Sequence, residues 1–302
     1  MVLHKGITTL IGLTFAGVSM AACGSSSVSN SVATNGPSKS QNAKPAEIFP
    51  IPSGAISASS PMPNGTLWVL AGNSSSKGIF QINLSTGKVI ASISVSNAAS
   101  AIAQSQTGDI GLGIATPSGG GAVEFHSGVT GGLVSTVPLS GGVVALCAGS
   151  DGKTFYALTQ VGSAMSVNVV DDSTGKVIST VAAPGGANSI AVTPSEKHVY
   201  VVQPSGIASE ISTSNGQIDG QFPVGHSAHY MAMSNDGSTL YVLKGQDPIR
   251  NVAVVDLATE SVRKVLPAAG SSVGLSLSPD DSKLYDIVGN PAYGNIQVFK
   301  LS

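Results

Sequence analysis

The sequence predicts an all-β protein in which residues 45–302 form a six-bladed β-propeller. Three observations carry this prediction. The composition is rich in turn-forming residues, with 37 Gly and 16 Pro among 302 residues, and it has few helix-forming runs. One sequence pattern recurs every 41 to 44 residues. A single apolar segment precedes the first repeat and has no partner within it. Together these features predict four-stranded blades that close into a ring.

Each repeat contains a polar turn followed by a short strand with a large side chain at its centre, as in NGTLWVL, DGKTFYAL and DGSTLYVL. Successive central residues are 44, 44, 44, 41 and 44 positions apart. They are Trp68, Leu112, Tyr156, Tyr200, Tyr241 and Tyr285, with Leu112 as the one that is not aromatic. Four short strands in a period of about 40–45 residues are typical of a propeller blade. Seven blades, the alternative, would need one more repeat than the six in this sequence.

The sixth repeat holds three strands where the others hold four. The segment AEIFPIP, residues 46–52, stands before the first repeat and has the length and apolar character of a strand. We expect it to add the outer strand of the sixth blade, because this pairing leaves no open edge between the first and last blades.

Residues 1–22 have the form of a secretory signal, with one cation, an apolar stretch and small residues at the end. The sequence MAAC that ends at Cys23 resembles the lipobox of bacterial lipoproteins, with Met in place of the usual Leu. This resemblance implies that Cys23 is lipidated and that the protein is exported, anchored to a cell membrane and facing the periplasm or the cell exterior. An ordinary signal with an incidental Cys is the alternative. Residues 23–44 are polar and predict a flexible tether.

The segments SPDDSKLY, SNDGSTLYVL and VAVVDLATESVRKVL resemble the YVTN-type, WD40-like repeats of bacterial surface and periplasmic β-propellers. The resemblance covers roughly residues 46–302. It implies the propeller fold but no single activity, because propellers carry many unrelated functions.

The net charge of −2 argues against nucleic acid or an anionic membrane surface as partners. We expect a monomer that contacts the membrane through its lipid anchor only. Its partner would be a protein or another ligand of the cell envelope.

One sector of the predicted ring is unusually polar. In a propeller, the first strand of each blade lines a central channel, and the loops leading into these strands surround one mouth together with the loops between second and third strands. Most of these loops are small and nearly neutral here, whereas VGHSAHY, KGQDPIRN and GNPAYGN carry charged and aromatic residues. We expect a binding site over blades five and six, with an ordinary solvated rim as the alternative. The candidates are His226, His229, Tyr230, Lys244, Asp247, Arg250, Asn290 and Tyr293.

The sequence predicts no metal and no other cofactor. His226 and His229 could form half of a metal site, but no acid or thiol occupies the matching positions of other blades. His126 stands where the other blades have an apolar residue, and a local bulge or register slip would explain it. Short polar side chains beside the turns are expected to hydrogen-bond the turn backbone. They are Asn83, Asp171 and Asp256, while Asp151 and Asp236 are expected in tight hairpin turns of the Asp-Gly kind.

These patterns favour a non-enzymatic binding or scaffold module for a protein or a small ligand. We expect no catalytic residues, because no acid–base pair falls at the predicted channel mouth. The alternative is a lactonase-like hydrolase on a propeller scaffold. The six-bladed gluconolactonases resemble the predicted ring in blade number, but they place acidic metal ligands at the channel mouth. The glutamates that follow Cys23 fall instead in predicted outer strands or turns.

Overall fold

The computed structural model describes residues 44–301, which form 24 strands in six antiparallel sheets of four strands each. The prediction of a six-bladed β-propeller is confirmed. The predicted signal, the lipidation site Cys23 and all but the last residue of the predicted tether lie outside the described residues. A search of residues 44–301 finds no helix that could cross a membrane.

In blades 1 to 5 the strands follow the chain from the channel outwards, while in blade 6 the outermost strand is the N-terminal β1. Blade 1 contains β2 (Ala55–Ala58), β3 (Thr66–Gly72), β4 (Lys77–Asn83) and β5 (Lys88–Val95). Blade 2 contains β6 (Ala99–Gln104), β7 (Ile110–Ala115), β8 (Gly121–His126) and β9 (Leu133–Leu139). Blade 3 contains β10 (Gly142–Ala148), β11 (Thr154–Val161), β12 (Ala164–Asp171) and β13 (Lys176–Ala183).

The other three blades repeat this order. Blade 4 contains β14 (Ser189–Val192), β15 (His198–Val202), β16 (Ile207–Ser212) and β17 (Ile218–Pro223). Blade 5 contains β18 (Ala228–Met233), β19 (Thr239–Gln246), β20 (Ile249–Asp256) and β21 (Ser261–Ala268). Blade 6 contains β22 (Ser272–Leu277), β23 (Lys283–Gly289), β24 (Gly294–Lys300) and β1 (Glu47–Ile51).

The N-terminal strand closes the ring, as the sequence predicts. β1 pairs with β24 in antiparallel register, from Glu47 opposite Val298 to Ile51 opposite Gly294. Ile51 is buried in an apolar cluster that joins blades 1 and 6. The two ends of the described chain are therefore held in one sheet, and the first strands of all six blades contact one another in a closed circle.

The core lies between neighbouring blades, and this explains which strands are continuously apolar. Second strands such as TLWVLAG in β3 are buried on both faces, because another blade covers each side. Outer strands such as KVIASISV in β5 are largely exposed. Six apolar clusters fill the interfaces between blades.

The polar residues beside the turns hydrogen-bond the turn backbone, as predicted for Asn83, Asp171 and Asp256. Asp256 Oδ1 accepts from the amides of Ala258 and Thr259 at 3.0 and 3.1 Å. Asp151 Oδ1 accepts from the amides of Lys153 and Thr154, both at 2.8 Å. Equivalent bonds are made by Asn83, Asp171 and Asp236. These side chains stabilise the blade itself.

The prediction that Leu112 matches the central aromatic residue of the other repeats is wrong. In blade 1, Trp68 pairs with Gln81, the residue before Ile82. In blade 2, Gly111 pairs with Phe125, the residue before His126, so Gly111 takes the position of Trp68. The cause is a connection between β6 and β7 that is one residue shorter than its counterpart in blade 1. A Cβ atom at Gly111 would lie 2.8 Å from the ring of Phe155, so the phenyl group of blade 3 occupies this space.

Of the two explanations offered for His126, a local bulge is present beside it, whereas a register slip is not. His126 pairs with Ile110 of the second strand, and the equivalent residue of blade 1, Ile82, pairs with Leu67 in the same register. The bulge beside His126 recurs in blades 1, 3, 4 and 5, so it does not set this residue apart. The Nδ1 atom of the buried imidazole lies 3.2 Å from the Gly131 carbonyl oxygen, which gives one ring nitrogen a partner, whereas Nε2 lies 3.6 Å from Glu124 and has no hydrogen-bond partner among the described residues.

Candidate functional site

Six equivalent side chains from the first strands form an apolar ring across the central channel. They are Ala58, Ile102, Leu146, Ile190, Met231 and Leu275. A cavity of about 330 Å³ lies on the side of the leading loops, and we call it the upper cavity. A cavity of about 510 Å³ lies on the side of the turns between first and second strands, and we call it the lower cavity. Five members of the ring line both cavities.

His229 and Tyr230 begin the first strand of blade 5 and line the upper cavity. The amide nitrogen of Asn188 lies 3.4 Å from His229 Nδ1 and donates to the Ala228 carbonyl oxygen at 3.1 Å. Because an amide nitrogen can only donate, this contact leaves the ring proton of a neutral His229 on Nε2. The Asn188 Oδ1 atom has no hydrogen-bond partner among the described residues.

Both groups are held in their neutral forms. Burial lowers the pKa of His229, and the nearby charge of Arg250 lowers it further. Burial raises the pKa of Tyr230, so that its phenol stays protonated at neutral pH. The upper cavity is thus lined by uncharged hydrogen-bonding groups on a wall that also contains small and apolar residues.

Arg250 lies in the interface between blades 5 and 6, where its guanidinium contacts groups of both blades. Its Nε atom lies 2.9 Å from Asp247 Oδ1, and its Nη1 atom donates to the Ser272 carbonyl oxygen of blade 6. Asp247 Oδ1 also accepts from the Ser271 amide at 2.7 Å, and this backbone bond is the main cause that lowers the pKa of Asp247. Arg250 and Asp247 therefore join the two blades.

Asp286 is a buried carboxylate in the same interface that the sequence interpretation missed. It is 0% exposed, and its Oδ2 accepts from the Ala269 amide at 2.9 Å. Burial raises the pKa of Asp286 to about 6, although the Ala269 amide, the Ser272 side chain and the charge of Arg250 act in the opposite direction. Its Oδ1 has no partner among the described residues.

The repeats themselves contain the signal for Asp286. The equivalent residues of the other blades, aligned by strand pairing, are all apolar: Val69, Leu112, Ala157, Val201 and Val242. An acid at a position that is apolar in the five other blades is a departure from the repeat. Comparing whole repeats position by position would have found it.

The remaining candidates are spread over the rim. Tyr293 and Asp247 line a shared cleft of about 320 Å³ between blades 5 and 6. Asn290 Oδ1 accepts from the amides of Ala292 and Tyr293, so this side chain shapes its own turn. His226 is exposed, and Lys244 lies against Gly225. The structure therefore divides the candidates: His229 and Tyr230 line the upper cavity, Asp247 and Tyr293 line the cleft between blades 5 and 6, and Asn290 bonds its own turn.

The pairing of His226 with His229 does not extend to a metal site within residues 44–301. In that part of the chain, no group of three or more His, Cys, Asp or Glu side chains could hold a metal ion.

The fold and the channel define this chain as a six-bladed β-propeller. It is similar to a solved structure of hydrazine synthase from Kuenenia stuttgartiensis, with a TM-score of 0.63 and 17% sequence identity over 82% of this chain and 83% of that chain. At this identity the similarity shows the fold alone. No protein-family model matches the sequence, and no curated protein matches it.

Proposed function

We propose that this protein is an exported, lipid-anchored β-propeller that binds a protein or another cell-envelope ligand at the upper mouth of its channel and catalyses no reaction. The lipobox that ends at Cys23 and the YVTN-type resemblance support export and anchoring. The observation that carries the binding role is the position of His229 and Tyr230 in the upper cavity, among residues that are mostly small or apolar. Such a wall with a few polar groups is typical of binding sites.

The chemistry of this mouth favours a polar, uncharged contact group at its centre. A neutral His229 offers its Nε2 proton, and the unpartnered Asn188 Oδ1 offers an acceptor. The exposed Tyr293 ring adds an aromatic contact on the rim. A partner that inserts a hydroxyl or amide group into the upper cavity and rests on blades 5 and 6 would use all three.

The test is cross-linking in the native membrane. The full-length protein, and a variant with His229→Ala, Lys244→Ala and Tyr293→Ala, are cross-linked and the captured partners are identified by mass spectrometry. Arg250 is left intact because it joins the two blades. His198→Ala serves as the matched control, since His198 lies in blade 4 and contacts Glu210 and Asp219.

A defined partner that is captured by the unchanged protein and by His198→Ala, but lost in the triple variant, would support the proposal. The same partners in all three proteins would overturn the site. Hydrolysis of a sugar lactone that disappears with His229→Ala would replace the proposal with the lactonase-like alternative.

Anchoring is tested separately with Cys23→Ser. We expect this change to abolish metabolic labelling by an alkyne fatty acid and to release the protein from the membrane fraction. Unchanged labelling in the variant would contradict lipidation at Cys23.

A further inference from the structure

The lower cavity is larger than the upper one. Its volume of about 510 Å³ is within the range of small-molecule sites. None of the residues that line it, all within residues 44–301, carries a formal charge at neutral pH. A charged ligand would lose its hydration here without meeting a counter-charge. The cavity therefore favours a neutral ligand.

Sulfur-containing side chains are concentrated around this cavity. Three of the four methionines within residues 44–301, Met62, Met231 and Met233, line it together with Cys147. Methionine is flexible and polarisable, so it adapts to ligands of irregular apolar shape. Burial raises the pKa of the Cys147 thiol, which keeps this group uncharged as well. The apolar ring forms the inner end of the cavity.

One side chain in this wall, that of Gln104, has a buried acceptor atom without a hydrogen-bond partner among the described residues. Gln104 is 9% exposed, and its Nε2 atom donates to the Gly108 carbonyl oxygen at 3.1 Å. Its Oε1 atom is buried and has no hydrogen-bond partner among the described residues. Leaving a buried acceptor unpaired is costly, so a ligand that brings a donor to this wall gains affinity.

We propose that the lower cavity binds a neutral, largely apolar small molecule that carries one hydrogen-bond donor. This site lies on the far side of the apolar ring from His229 and Tyr230, so it is independent of the rim site proposed above. The protein would then hold two sites, one at each end of its channel.

The test uses a matched pair of fluorescent probes with the full chain. N-phenyl-1-naphthylamine is neutral, apolar and carries one N–H donor, whereas 8-anilino-1-naphthalenesulfonate adds an anionic group to the same skeleton. We expect saturable binding of the neutral probe with one site per chain. The anionic probe should bind at least about tenfold more weakly, which corresponds to about 1.4 kcal/mol.

Two alanines of β10 give a matched pair of variants. Ala148 lines the lower cavity and Ala145 lines the upper one. Ala148→Phe should weaken binding of the neutral probe by at least about tenfold, while Ala145→Phe should leave it unchanged. If Ala148→Phe does not fold, Ala232→Leu narrows the same cavity with a smaller side chain.

Gln104→Met tests the hydrogen bond. This variant should lose about fivefold in affinity for N-phenyl-1-naphthylamine but keep its affinity for 1-phenylnaphthalene, which has no donor. No saturable binding of the neutral probe, equal binding of the anionic probe, or equal loss in Ala145→Phe would each overturn the proposal.

Discussion

Two blade interfaces carry a cation at the same position of the repeat, and only one of them also carries carboxylates. Lys77, between blades 1 and 2, donates to the Ala99 carbonyl oxygen. Arg250, between blades 5 and 6, donates to the Ser272 carbonyl oxygen. Each cation lies within the first two residues of a third strand and pairs with a glycine of the second strand. Each acceptor is the first residue of the first strand in the next blade. Binding the neighbouring blade through one backbone carbonyl is thus a shared device.

The surroundings of the two cations differ. Asp247 lies 2.9 Å from Arg250, and Asp286 is buried near it, whereas the residue equivalent to Asp286 in blade 2 is the apolar Leu112. Burial lowers the pKa of Lys77. Within residues 44–301, the cation of the blade 1–2 interface thus contacts a carbonyl without a carboxylate partner, while the blade 5–6 interface adds carboxylates, of which Asp286 makes its stability depend on pH.

Removing the cations should have the largest effect and should separate the two interfaces. Arg250→Met leaves Asp286 buried near no cation and removes the bond to Ser272, so we expect a loss of about 2–4 kcal/mol in the free energy of unfolding at pH 7. Lys77→Met, the matched control, should lose about 1 kcal/mol because no carboxylate depends on Lys77. Urea unfolding measures both. Equal losses would contradict the distinction between the interfaces.

The buried carboxylate should give the second largest effect, seen in its pH dependence. An unfolded aspartate titrates near 4, and the pKa of Asp286 in the folded protein is about 6. The folded state therefore binds more protons between these values, and the free energy of unfolding falls as the pH rises from about 4 to about 6. This contribution amounts to about 2–3 kcal/mol.

The variant Asp286→Asn isolates the contribution of Asp286 to the pH dependence of the free energy of unfolding, since all other titrating groups remain. The free energy of unfolding of the unchanged protein, relative to that of the variant, should fall by about 2–3 kcal/mol between pH 4 and 6.5. Urea titrations at several pH values measure the difference. A difference that does not vary with pH would show that Asp286 titrates normally.

The exposed acid should give the smallest effect. The Asp247 side chain is 51% exposed, and an ion pair in contact with solvent contributes little. We expect Asp247→Asn to lower the free energy of unfolding by less than about 1 kcal/mol at pH 7, and addition of salt to reduce this loss. A loss as large as that of Arg250→Met would mean that the Asp247–Arg250 pair, and not the Ser272 contact, holds the interface.

The blade number and the ring closure could be predicted because their signals are local and periodic. Turn residues and strand lengths repeat along the chain, and the segment containing Ile51 was apolar without a blade of its own. The position of Leu112 was misjudged because a one-residue difference in a connection changes which residue faces which neighbour. Counting between markers does not detect such a shift.

By itself, the sequence determined six blades, a sixth blade completed by the N-terminal strand, and one polar sector of the rim. Tertiary structure alone decided what the polar residues do. Arg250 binds a carbonyl of the next blade, Asn290 bonds its own turn, and Asp286 is buried between blades. The reason is physical: strands and turns form from neighbouring residues, whereas burial, charge pairing and the two channel cavities arise from blades that meet only when the ring closes.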